Sequence, residues 1–484
     1  MPAEPTNGGV PGLRRALGTV DLVLLNVAAI LGLRWLSTVA TVGPAGLSIW
    51  VIAFLVFFVP SGLTIQELSS RIPHEGGLYL WTRAAFGDRH GFLAGWAYWL
   101  SNLVYFPSLL LFGSGIFLQI FGGSALSLAE SPMYNGIFGL AMLWATTALN
   151  IFGLKRAKWL QNMGGITTIA IMVLVFVGGL IAWRQFGSAT PISRSSLVPH
   201  LKSLPTLGML AIAILAYQGL ELGPIMGDEI RDSSRSIRRA ILISGLLIAA
   251  TYVVGTLALL VAMPSGRISA ISGVAEAMTA VGQRAAIPLI GLTAAILLTL
   301  SNIGGFGAWV TGTARLPFVI GLRHYLPERL AAVHPKYGSP YVALLVQAAA
   351  ASVVLLTAIS GSAVHEAFLL LIDMTAALTS IVWVYIFASL PVLRWRAAGQ
   401  NAGVALIPGG PVVCWLISAV GVAATSFAVV VSLIPPAGSS NPALFLIKGV
   451  GGCVLIFLVG AIFYRQGRRR MQREQAAAGA VGKN

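Results

Sequence analysis

In a chain of 484 residues, 57% are hydrophobic and only 10% charged, with a mean hydropathy of +0.85; a soluble globular domain, with about 25% charged residues, is excluded. The net charge of +16 would suit a nucleic-acid binder if it covered a soluble surface. Apolar runs of about 20 residues recur instead from Leu17 to Tyr464, each long enough to cross a hydrocarbon core of about 30 Å, which leaves a polytopic protein whose first partner is the lipid bilayer.

Taken in chain order, the runs predict twelve helices, over 18–45, 47–69, 91–121, 132–153, 160–184, 205–229, 239–262, 286–316, 340–360, 363–393, 409–435 and 442–465. Two carry a glycine with a charge two positions on: ILGLRWL, with Gly32 and Arg34, and AYQGLEL, with Gly219 and Glu221. A charge inside a lipid-crossing segment is costly unless it faces a cavity or a partner. Gly-interrupted spans in corresponding positions of two halves point to the binding site of a transporter.

Twelve spans with both termini on one side place 24 Lys and Arg there and five on the other, Arg184, Arg194, Lys202, Arg267 and Arg284, with Arg34 and Lys448 inside spans. By the positive-inside rule both termini are cytoplasmic, in the cell (inner) membrane. The run YRQGRRRMQR reads as the cytoplasmic stop after the last span, with contact to anionic lipid as an added role. The start, MPAEPTNGGVPG, and the tail, QAAAGAVGKN, look unstructured. The first apolar run is too long for a cleavable signal and has no small-residue cleavage pattern. Cys414 and Cys453 both fall in predicted spans, so neither a disulfide framework nor a cysteine metal site is expected.

After the second span comes QELSSRIPHEGGLYLWTRAAFGDRHGFLAGW, Gln66 to Trp96. Pro73 and Gly76-Gly77 end a helix and make a turn, and Tyr79, Trp81, Phe86 and Phe92 read as anchors at the membrane interface. The arrangement resembles the amino acid-polyamine-organocation superfamily, with matches at Glu67, Leu68, Pro73, Gly76, Gly77, Tyr79, Gly87, Gly91, Phe92, Gly95 and Trp96. Two further blocks agree. Ala216 to Ile241 is similar to the family's sixth-helix motif, through Tyr217, Gly219, Glu221 and Asp228-Glu229. Ala314 to Leu345 is similar to the loop after the eighth helix, through Arg315, Leu326, Pro327, His334, Pro335, Lys336 and Pro340. Within the superfamily, VPSGLTIQEL, SNLVYFPSLLLFGSG, AYQGLE and VSLIPPAG resemble the bacterial glutamate/GABA antiporter branch.

The resemblance implies an all-α, LeuT-like fold: a cytoplasmic tail 1–17, inverted five-helix repeats over 18–184 and 205–393 joined by an extracytoplasmic loop 185–204, two more helices within 394–465, and a basic tail 466–484. It implies that the first helix of each repeat is unwound, which membrane-depth backbone tolerates only where it lines a cavity. By analogy, backbone near Leu31, Gly32 and Leu33 holds a substrate carboxylate, and carbonyls near Tyr217, Gln218 and Gly219 hold its ammonium.

Arg34 either clamps a substrate carboxylate, which guanidinium geometry suits, or neutralises Glu221 or Asp373. Glu221 is either a gating or proton-coupling group or a structural partner of Arg34 or the unwound backbone. Asp373 is either a cavity-facing substrate or proton group or a buried hydrogen-bonded acid. Tyr98, Trp99 and Asn102 on the third helix and Asn302 on the eighth are within reach of the site. The chain departs from the family in reading L-G-L at the first break, where many members have G-S-G, and in carrying Leu215 where some relatives have an aromatic gate, a role left to Tyr217.

The six histidines have no metal-ligand spacing, and neither a metal, a cofactor nor an enzyme activity is expected. The expected function is secondary transport of an amino acid, by antiport or proton-coupled symport, with protons favoured over sodium. The alternatives are a polyamine or other organic-amine carrier of the same fold, and a transport-inactive sensor or scaffold.

Overall fold

The computed structural model describes residues 13, 15–270, 272–322, 324–360, 364–396, 404, 407–434 and 442–481. Its helices are α1 (Thr19–Ile30), α2 (Leu33–Ala40), α3 (Ala45–Ala53), α4 (Val59–Arg71), α5 (Leu78–Phe86), α6 (Asp88–Leu118), α7 (Pro132–Ile151), α8 (Leu154–Phe186) and α9 (Leu204–Ala216). They continue with α10 (Leu222–Ile225), α11 (Ser233–Ala262), α12 (Gly273–Arg284), α13 (Leu289–Thr313), α14 (Arg315–Leu322), α15 (Tyr341–Ser360), α16 (Val364–Arg396), α17 (Gly410–Ser432) and α18 (Pro442–Val481). Among the described residues, ten helices or helix pairs are long and apolar enough to cross a membrane. The other two expected spans are α7, which buries Asn135, Thr146, Thr147 and Asn150, and the broken pair α9 and α10. The chain is a multi-pass membrane protein.

Lipid offers no hydrophobic drive for helix association, so close approach must come from small residues. At the α8–α13 crossing a Cβ on Gly164 would meet the Cα of Gly304 at 2.6 Å, and one on Gly165 would meet the carbonyl oxygen of Leu24, on α1, at 2.6 Å. Glycines on α8 therefore seat both α1 and α13, and through them the first break.

Two expectations need correction. Tyr79, Trp81 and Phe92 are not interfacial anchors: each is fully buried, and Phe86 is partly so. The segment turns inward, with the Gly76 N–H donating to Ile225 O at 2.8 Å, and Trp81 Nε1 finds a carbonyl at Ile72, 3.2 Å away. An indole whose N–H is satisfied inside the protein no longer needs the wet interface. The C-terminal tail expected to be unstructured is helical as far as Val481, continuous with the last span. Helix α12 lies between the expected spans 239–262 and 286–316 and packs on α2, α8, α11 and α13. The N-terminal segment 1–12 and the stretch at Pro435 lie outside the described residues.

Candidate functional site

Both glycine-marked breaks are present. Between α1 and α2, Leu31 (φ −71°, ψ 70°) and Gly32 (φ −74°, ψ 103°) leave the helix. A side chain at Gly32 is blocked because a Cβ would lie 2.6 Å from the Trp35 ring. Between α9 and α10, Gly219 sits at φ +130°, a conformation that glycine alone adopts readily. Helix α10 is only four residues long and carries Pro224 in its first turn, where its missing N–H is tolerated.

The breaks lie side by side. Tyr252, on α11, points its hydroxyl between them, 2.6 Å from Ile30 O and 3.1 Å from Ala216 O. Trp309 Nε1, on α13, donates to Ala29 O at 3.1 Å. Trp309 thus supplies a donor to Ala29 O, and the single Tyr252 proton is shared between Ala216 O and Ile30 O, the latter also accepting the Gly32 N–H at 2.7 Å, at membrane depth where an unmet carbonyl is costly. Trp50 stacks on Tyr252 with ring centroids 4.0 Å apart, and Tyr217 meets both rings edge-on. Sequence reading missed Tyr252, Trp309, Trp50 and Tyr105. A lone tyrosine in the apolar run AATYVVG was the available signal, because a buried phenol seeks a partner. Tyr252→Phe is expected to cost about 1–3 kcal/mol, the penalty of an unsatisfied buried polar group, and to slow transport more than it lowers expression. Thermal unfolding in detergent and initial uptake rates check this; equal rates in the variant would refute the bridging role.

A cavity at the first break has about 30 Å³ of water-accessible space, room for a water or two. Of the expected substrate contacts, Leu31, Gly32, Leu33, Arg34 and Asn302 line it, whereas Tyr98, Asn102, Tyr217, Gln218 and Gly219 do not. Asn102 caps Tyr98 O at 2.8 Å, Gln218 reaches Ser380 at 3.4 Å, and Tyr217 lies in the aromatic cluster. Trp99 donates to Gln347 at 3.1 Å.

Glu221 is fully buried, accepting from Tyr98 OH at 2.7 Å and from the Gly219 N–H at 2.9 Å. It ties its own helix break to α6, as a partner of unwound backbone. Asp373 is partly buried on α16 and makes no hydrogen bond or ion pair among the described residues. The pairing of Arg34 with Glu221 or Asp373 does not occur. Arg34 instead donates to Tyr105 OH at 2.5 Å, because α2 turns it toward α6 and the aromatic rings there.

A second polar centre closes one end of the bundle. Arg315 donates through Nε and Nη2 to the two oxygens of Glu229 at 2.8 and 3.1 Å, and through Nη1 to Thr311 O at 2.6 Å. Glu229 O in turn accepts the N–H groups of Ala16 and Leu17 at 2.9 and 3.1 Å, pinning the chain before α1. Glu75 lies 3.8 Å from Arg315 and accepts the Asp228 N–H at 3.2 Å; His74 is 3.5 Å from Asp228. Three acids face one arginine and one histidine.

Burial, then the neighbouring Glu229 carboxyl, holds the Glu75 carboxyl well above its ordinary value of 4.5. The folded state then binds this proton more tightly than the unfolded chain, so its stability falls as pH rises from about 4.5 through the raised value. Glu75→Gln, which mimics the protonated acid, is expected to flatten the melting temperature against pH over that window. A variant with the wild-type slope would exclude Glu75 as its source.

Comparison with known proteins agrees with this architecture. The family model described as amino acid permease matches residues 17–459. An uncharacterised transporter of Legionella pneumophila is 28% identical over 96% of this chain and 99% of its own length. A glutamate/gamma-aminobutyrate antiporter of Lactococcus lactis is 23% identical over 85% of this chain and 84% of its own. The crystal structure of MhsT in complex with L-phenylalanine superposes with a TM-score of 0.66 at 12% identity, covering 87% of this chain and 99% of that one. The LeuT-like fold implied by the sequence motifs is the fold observed.

Proposed function

The chain belongs to the amino acid permease family, and on that premise we propose that it is a secondary carrier whose substrate, an amino acid, binds at the two helix breaks. The observation that carries this reading is the pair of breaks held side by side through Tyr252. Residues 18–184 and 205–393 act as the inverted repeats, and rocking or gating of one against the other opens the site alternately to each face. The cavity's water-accessible space of about 30 Å³ admits only a water or two, so it must widen before substrate enters. The latch formed by Arg315, Glu229 and Glu75 lies at the cytoplasmic end, with both termini on that side of the cell membrane. Exchange or proton symport drives the cycle. The relative named as a glutamate/gamma-aminobutyrate antiporter supports an amino acid substrate.

Counterflow in proteoliposomes tests the reading. Vesicles loaded with a mixed amino acid pool are expected to accumulate at least one labelled amino acid transiently above equilibrium. Folded, reconstituted protein that exchanges no amino acid or amine would instead be the transport-inactive sensor.

A further inference from the structure

We propose that the cavity at the α1–α2 break is an anion subsite for the side-chain carboxylate of an acidic amino acid, with Arg34 as its anchoring cation. This rests on the carrier reading above and names its substrate class.

Arg34 lies in the first turn of α2, inside a membrane span, and only 3% of it is exposed. Its guanidinium stands 4.2 Å from the Trp35 ring centroid, 5.3 Å from that of Tyr105 and 5.6 Å from that of Phe112. Nη2 donates to Tyr105 OH, while the buried Nε has no acceptor. Among the described residues it forms no ion pair, and it is the one charged residue lining the cavity. Attraction to ring faces is weaker than the hydration such a cation gives up. A buried charge kept without a counterion in the resting protein is explained if the counterion arrives with the substrate.

The chain itself shows what a buried guanidinium takes. Arg315 presents Nε and Nη2 to both oxygens of Glu229, at 2.8 and 3.1 Å. Arg34 turns the same edge toward a single phenol, leaving half of a bidentate carboxylate site unfilled. Glu221 is turned away onto Gly219 N–H and Tyr98 OH.

Charge counting then selects the substrate. A zwitterion is neutral by itself, its α-carboxylate taken by N–H groups at the start of α2 and its ammonium by carbonyls at the second break. The remaining positive charge of Arg34 is balanced by one more carboxylate, whereas a diamine would bring two cations against it.

Thermal stabilisation of detergent-solubilised protein by L-glutamate, L-aspartate, L-glutamine and putrescine reads binding without requiring transport. The acidic amino acids are expected to raise the melting temperature of the wild type, with glutamine at least tenfold weaker in apparent affinity and putrescine inactive. Arg34→Gln is expected to erase the preference for glutamate over glutamine. Arg34→Lys, which keeps the charge and loses the fork, is expected to retain part of it and guards against misfolding of the glutamine variant. Equal stabilisation by glutamate and glutamine in the wild type, no stabilisation by either acid, or an unchanged preference in a folded Arg34→Gln protein would overturn the proposal. Stabilisation by the acids without counterflow would overturn the carrier reading while this subsite stood; counterflow of neutral amino acids alone would do the reverse.

Discussion

Arg315→Leu is expected to lower stability by about 3–5 kcal/mol, the cost of breaking a buried ion pair by removing one partner. The size follows from what remains. Glu229 and Glu75 are 1% and 2% exposed, and both face Arg315. Without the guanidinium, two buried carboxyls are left facing each other with Asp228 alongside. The loss propagates, because Glu229 O also holds Ala16 and Leu17 and so fixes the entry into α1. Adding Glu229→Gln should recover part of the loss, since it removes the stranded charge. Thermal unfolding in detergent measures both, and an Arg315→Leu protein within about 1 kcal/mol of wild type would show that the latch is not a tight ion pair.

Gly219→Ala is expected to abolish transport and to destabilise the protein through two additive causes. At φ +130° an alanine carries about 1–3 kcal/mol of backbone strain. Its methyl would stand 2.8 Å from Ile30 Cγ1 and 3.4 Å from Trp309 Cζ2, overpacking worth about 1–3 kcal/mol. The intrusion reaches function because Ile30 is the residue whose carbonyl Tyr252 holds, so a shift there moves one break against the other. Uptake and melting temperature together test this. An alanine variant with wild-type uptake would mean that the two breaks need not touch during the cycle.

The breaks themselves were legible from sequence, since a glycine beside a charge in an apolar run is a local signal. The fates of the charges were not. Arg34 was expected either to clamp substrate or to meet an acid, and it meets Tyr105, 71 positions away, and three aromatic rings. Glu221 turns back onto the N–H two residues before it and onto Tyr98, 123 positions away. Tyr79, Trp81 and Phe92 had the composition of interfacial anchors, yet burial against neighbouring helices claimed them.

By itself the sequence determined that this is a membrane protein of the amino acid permease family, with twelve expected spans in this order and breaks at Gly32 and Gly219. The membrane class, the spans and the breaks rest on composition, run length and local spacing, and the family rests on its matching motifs; all of these hold whatever the chain packs against. Only the tertiary structure decided which side chains satisfy the unwound backbone and which charge is left without a partner. That depends on the rotation and contact of helices far apart in the chain: Tyr252 reaches Ile30 across 222 residues, through glycine crossings whose spacing no local pattern specifies.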